Sequence, residues 1–120
     1  MEWQRVAWGI ITHLWYDDDA STFYYPVTLD DFAGQQAFDD YLRLIRKPMD
    51  FTTVQNNLTD NKYRSVKEYK SDVKMIFDNC CKYNIPGSDT FSSAKRLEKM
   101  FEGLCELRLS AYQQNNLYRS

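Results

Sequence analysis

Between residues 17 and 49 the chain runs for over 30 residues with little helical periodicity, yet this stretch is rich in apolar side chains. Phe23, Tyr24, Tyr25, Phe32, Phe38 and Tyr41 lie in it, with Val27, Leu29, Leu44 and Ile45. A connection that long is uncommon inside a compact domain, and where it occurs it is usually functional. This one is too apolar to stay solvated. It is expected to pack on the rest of the fold and to wall a pocket. Residues 22 to 28 have strand-like composition, but Pro26 argues for extended loop, because proline donates nothing to a sheet ladder. Gly34 marks an expected turn.

On either side, apolar residues recur at helical spacing. Trp3, Val6, Ala7, Ile10 and Leu14 predict a helix over about 2–16. Asp50, with Pro48 just upstream, is placed to cap a short helix over about 51–58. Ser65-Val66-Lys67-Glu68 reads as a capping box, in which serine and glutamate each satisfy an orphan amide. A helix over about 65–83 follows, its apolar face made of Val66, Tyr69, Val73, Ile76, Phe77 and Cys80. Pro86-Gly87 interrupts the chain. Phe91, Ala94, Leu97, Met100, Phe101 and Leu104 then predict a last helix over about 89–112. No stretch alternates as a good strand would. The expected class is all-α, with four helices in one domain spanning residues 1–120.

Composition narrows the function. A chain of 120 residues with 43% apolar and 27% charged residues can bury a core without staples. No apolar run approaches the roughly 20 residues of a membrane span, so no membrane contact is expected. The first residues lack the stages of a secretory signal. Cys80, Cys81 and Cys105 are an odd set with an adjacent pair, which suits neither a disulfide framework nor a zinc site and points to a reducing compartment. The aspartates lack calcium-loop spacing. No histidine partners a cysteine, and His13 stands alone on the first helix. No catalytic group, metal or cofactor is read. The net charge of −2 hides an asymmetry. Residues 6–42 hold seven aspartates and no lysine or arginine, whereas residues 43–120 hold 14 basic against 9 acidic residues. An acidic irregular stretch favours a basic peptide over direct nucleic-acid binding.

Two blocks carry a more specific signal. Tyr41-Leu42-Arg43-Leu44-Ile45-Arg46-Lys47-Pro48-Met49-Asp50-Phe51 resembles the Y-x-x-x-I-x-x-P-M-D-L/F block of bromodomains. Phe77-Asp78-Asn79-Cys80-Cys81-Lys82-Tyr83-Asn84 resembles their F-x-N-C/A-x-x-Y-N block. Tyr63-Arg64-Ser65 is similar to the family's Y-x-S/T helix entry, and residues 94–101 to the start of its last helix. The spacing agrees without a gap from Tyr41 to about Phe101.

The resemblance implies a left-handed four-helix bundle, with a long first loop and a shorter last one forming a pocket at one end. It implies a non-catalytic, monomeric, nuclear module that binds N-acetyl-lysine, mostly in histone tails, and recruits its parent protein to chromatin. By position it implies that Asn84 holds the acetyl carbonyl, that Tyr41 reaches the same carbonyl through a water, and that Tyr83 lines the pocket. Phe23, Pro26 and Val27 match the phenylalanine and Pro-Val of the family's first loop. Thr90, six residues after Asn84, falls at the gate of the pocket mouth, with Phe91 beside it. Asn79 is expected to hold loop backbone, Cys80 to sit in the apolar core, and Cys81 to lie near the pocket.

These residue types fit the chemistry. Acetylation turns an ammonium into a neutral amide, which a narrow apolar pocket accepts and whose charged precursor it rejects. An asparagine NH2 donates to the acetyl oxygen and repels an ammonium. Neutral hydrogen bonds to a small buried group imply affinity of about −5 to −8 kcal/mol. Three departures bear on peptide preference. Ser21-Thr22-Phe23 stands where the family commonly has Trp-Pro-Phe, with Tyr24 or Tyr25 available to replace part of that shelf. The stretch from Val27 to Tyr41 is a few residues longer than usual. Thr90 is smaller and more polar than the usual Ile or Val. The alternative reading is a helical interaction scaffold whose pocket is vestigial.

Overall fold

The computed structural model describes residues 2–119, with side chains as far as Tyr112. Five α-helices occur among them and no strand: α1 (Glu2–Trp15), α2 (Gln35–Leu44), α3 (Phe51–Thr59), α4 (Val66–Tyr83) and α5 (Asp89–Arg119). Helix α1 packs on α3 and α5, and α4 packs on α3 and α5, so these four close into a bundle. Their facing sides follow the sequence periodicity. Ile10, Ile11 and Leu14 of α1 meet Phe51 and Val54 of α3, Val73 and Phe77 of α4, and Leu97 and Phe101 of α5 in one core. None of these exceeds 2% exposure, and each such side chain contributes about 1.5–3 kcal/mol by leaving water. Tyr69 is also fully buried. Its hydroxyl donates to the Ala7 carbonyl at 2.9 Å, which removes the penalty for burying it and ties α4 to α1.

Helix starts lie where the caps put them. Asp50 accepts from the Thr53 amide at 2.9 Å and from its hydroxyl at 2.6 Å, opening α3. Ser65 accepts from the Glu68 amide at 3.2 Å. The reciprocal half of that box is shifted by one residue, because Glu68 accepts from the Arg64 amide rather than from Ser65. Helix α5 continues to Arg119, past the expected end near 112. No proline follows Gly103 to stop it.

The long connection is the main correction. It is not a helix-poor loop: it holds α2 and two short 3₁₀ turns, Ala20–Phe23 and Leu29–Asp31. Ala37, Phe38, Tyr41 and Leu44 in fact have helical spacing. Four-residue pairs brace the exposed side, Gln35 to Asp39 at 2.8 Å and Gln36 to Asp40 at 2.9 Å. No capping side chain announces α2; Gly34 precedes it in extended backbone. The first 3₁₀ turn drives Ala20 and Phe23 into the core, where Phe23 meets Phe51 and Phe77.

The ends of the connection are tied down. Asp17 and Asp19 follow α1, where acidic charge opposes the helix dipole. Arg96 of α5 offsets it by contacting both; its guanidinium holds the Asp17 carboxyl below the usual range. At the other end Lys47 pairs with Asp72 at 2.8 Å. Asp72 also accepts from Tyr63 at 2.7 Å. The Lys47 carbonyl accepts from Asn79 at 2.8 Å, so Asn79 holds loop backbone as the sequence implied.

Candidate functional site

A cavity of about 300 Å³ opens where the connection meets the C-terminal end of α4 and the start of α5. Phe23, Val27, Tyr41, Tyr83, Asn84 and Thr90 all line it. The fold thus gathers six of the eight residues singled out from the sequence.

The other two, Pro26 and Phe91, are not among the lining residues, although Tyr25 and Val27 on either side of Pro26 are. Thr90 and Phe91 are neighbours in the first turn of α5, about 100° apart around the helix. Thr90 faces the cavity; Phe91 lies under the Lys95 ammonium instead, 5.8 Å from it. Cys80 packs against the core as expected and also lines the cavity; Cys81, expected near the pocket, packs against the core with its thiol 3.9 Å from the Phe91 carbonyl and is not among the lining residues.

Asn84 sits at the C-cap of α4 with extended backbone. Its backbone amide and its side-chain Nδ2 both donate to the Cys80 carbonyl at 2.9 Å. That second bond sets the rotamer. The NH2 carries another hydrogen, whose one protein neighbour is the weakly accepting Cys80 sulfur at 3.5 Å. One N–H therefore anchors the amide and the other can be given to an acceptor in the cavity.

One wall is aromatic. Tyr41, on α2, meets Tyr83 edge to face at 4.9 Å, and Phe32 lies 5.1 Å from Tyr41 and 6.3 Å from Tyr83. Phe38 backs Phe32 at 5.2 Å. Burial, with smaller contributions from Cys80 and Tyr83, raises the Tyr41 phenol above its ordinary value. At neutral pH its hydroxyl is a proton donor. Burial likewise pushes Cys80 up to about 11, so its thiol stays protonated and is no ready nucleophile. Met49 and Ile76 add apolar surface. Asp50 and Asn79 also reach the cavity, but their polar atoms serve the α3 cap and the Lys47 carbonyl.

The long connection also supplies Asp31 and Phe32, which the sequence did not single out, and Thr22 and Tyr25, which it considered only at the shelf. For Phe32 the helical spacing of α2 was an available signal, since recognising that helix folds residue 32 back toward Tyr41.

This is a small cavity with one aromatic wall, one locked amide and one protonated phenol. It suits a neutral polar group on an apolar stem. The bromodomain family model matches residues 9–96. Over 93 residues, 78% of its length, the chain is 37% identical to the SWR1 complex bromodomain subunit bdf1 of Schizosaccharomyces pombe. Over an equal length it is 36% identical to the bromodomain adjacent to zinc finger domain protein 2B of Gallus gallus. It spans only 15% and 4% of the lengths of those two relatives. A match over most of the chain, spanning both motif blocks and consistent with an all-helical bundle, shows that the chain belongs to the bromodomain family, a family of acetyl-lysine-binding modules rather than catalysts.

Proposed function

We propose that this chain reads acetylated lysine in histone tails and brings the protein that carries it to acetylated chromatin in the nucleus. Residues 1–120 act as one monomeric binding module. The observation that carries the reading is the Asn84 amide: fixed by the Cys80 carbonyl, it keeps a donor for a cavity that no lysine or arginine lines. An acetamide oxygen accepts that donor, and Tyr41 offers a second through a bridging water, which costs little entropy. The methyl and four-carbon stem lie against Phe23, Val27 and the tyrosine wall. An ammonium in the same place would face the amide hydrogens, and the Asp50 carboxylate that lines the cavity is committed to its helix cap. The relative named as a subunit of the SWR1 complex belongs to a larger assembly, which supports a recruiting role here.

The test is calorimetric titration of histone-tail peptides, each in acetylated and unacetylated form. Micromolar binding confined to acetylated peptides is expected. Binding indifferent to acetylation would favour the scaffold reading instead.

A further inference from the structure

Tyr25 is the exposed aromatic at the cavity that the acetyl-lysine reading leaves unused. It lines the cavity, yet 64% of it is exposed. Exposed rings are usually mobile, but this one is buttressed. Its centroid is 6.0 Å from Trp15 and 6.0 Å from Tyr24, at interplanar angles of 88° and 79°. Neither neighbour lies parallel over it. Tyr24 in turn stacks on Trp15 at 3.8 Å, and its hydroxyl donates to the Trp15 carbonyl at 2.7 Å. The Tyr24 carbonyl accepts from the Thr52 amide at 3.0 Å and from its hydroxyl at 2.6 Å. Helices α1 and α3 thus hold the backbone that presents Tyr25.

The surroundings select what such a ring would meet. Asp31 lines the same cavity, and one of its oxygens accepts from the Thr28 amide at 2.7 Å, which fixes the carboxylate. A smaller adjoining groove of about 180 Å³ shares Thr22, Phe23 and Thr90 with the cavity and is lined by Asp18, Asp19 and Asp89. Asp19 is shared with Arg96. No lysine or arginine lines either space. An exposed ring face in a field of that sign attracts a cation.

Resting on the acetyl-lysine reading, we propose that Tyr25, with Asp31, forms a second contact that selects a lysine or arginine within a few residues of the acetyl-lysine on the same peptide. Tyr25 then sets which acetylated sequence is preferred, while Asn84 sets that acetylation is required. The ring supplies the face of a cation–π contact, and Asp31 the charge that draws the cation to it.

The experiment compares three ligands: N-acetyl-lysine, an acetylated peptide with flanking lysines or arginines, and the same peptide with those residues replaced by norleucine. The proteins are the unaltered chain, Tyr25→Leu, Tyr25→Phe and Asp31→Asn, each checked by circular dichroism. Tyr25→Leu should weaken the cationic peptide about two- to five-fold more than it weakens the norleucine peptide or N-acetyl-lysine. Tyr25→Phe should keep the affinity. Asp31→Asn retains an acceptor for Thr28, and it should weaken the cationic peptide more than the other two ligands, the difference growing at low salt. Equal losses on the cationic and norleucine peptides, or no loss from Tyr25→Leu, would overturn the proposal. Preference for the norleucine peptide would also overturn it, making the ring an apolar support. Failure of the unaltered protein to bind N-acetyl-lysine would instead sink the reading beneath it.

Discussion

Asn79 and Asn84 lie five residues apart at the end of α4, and they should fail in opposite ways. Asn79 is 9% exposed, and its amide donates to the Lys47 carbonyl at 2.8 Å. Asn79→Ala leaves that carbonyl without its partner, a cost of about 1–3 kcal/mol. With a urea m-value of about 1–3 kcal/mol/M, the unfolding midpoint should fall by roughly 1 M. The cavity should keep its shape, because the Lys47 ammonium still holds the same segment through Asp72 at 2.8 Å. Affinity for N-acetyl-lysine should therefore change by less than about three-fold. In Asn84→Ala the Cys80 carbonyl keeps the Asn84 backbone amide at 2.9 Å, so the urea midpoint should barely move while binding is lost. Urea unfolding followed by circular dichroism, with calorimetry on each folded variant, reads both quantities. If Asn79→Ala left stability intact and removed binding, the division into a loop-holding and a ligand-holding asparagine would be wrong.

Three further outcomes follow from the same geometry. Tyr41→Phe should weaken N-acetyl-lysine binding by about 0.5–1.5 kcal/mol in calorimetry, because a water-mediated bond is lost while the ring still packs on Phe32 and Tyr83. Asp17 has a folded pKa below its ordinary 3.8, chiefly through its hydrogen bond to Arg96; its contribution is present above about pH 4 and lost as pH falls through the lowered value, so Arg96→Gln should lower stability at neutral pH, flatten the acid limb of a stability–pH curve, and leave stability below that limb little changed. Cys80, pushed up to about 11 by burial, should react slowly with iodoacetamide at pH 7, faster as pH rises toward 11, and more slowly again with N-acetyl-lysine present; mass-spectrometric mapping of the alkylated peptide checks this.

Much of the bundle was legible because each long helix announces itself locally. Asp50 and Ser65 start their helices by hydrogen bonds made within three residues, and apolar spacing marks the buried faces. Asn84 and Tyr41 were singled out for another reason: they stand in motif blocks whose spacing survives intact, and both line the cavity. What stayed hidden was tertiary. Phe32 reaches Tyr83, 51 positions away, only because α2 folds back between them; the spacing within α2 signals that helix but not its partner across the cavity. Helix α2 itself has the right spacing but no capping side chain and no fully buried residue; packing of Phe38 and Tyr41 on Phe32 and Tyr83 completes it. Pro26 matches the Pro-Val pair of the family's first loop, and Phe91 was singled out for its place beside Thr90; neither lines the cavity, and for Phe91 the rotation of about 100° per residue along α5 turns it away from Thr90.

The central claim is that a locked Asn84 amide reads the acetyl oxygen. The most direct measurement is calorimetry of one histone-tail peptide, acetylated and unacetylated, against the unaltered protein and Asn84→Ala. The account predicts binding of the acetylated peptide to the unaltered protein, none of its unacetylated form, and a loss of about 1–3 kcal/mol or more in Asn84→Ala with the helical circular dichroism unchanged. Equal affinity of Asn84→Ala and the unaltered protein for the acetylated peptide would contradict it.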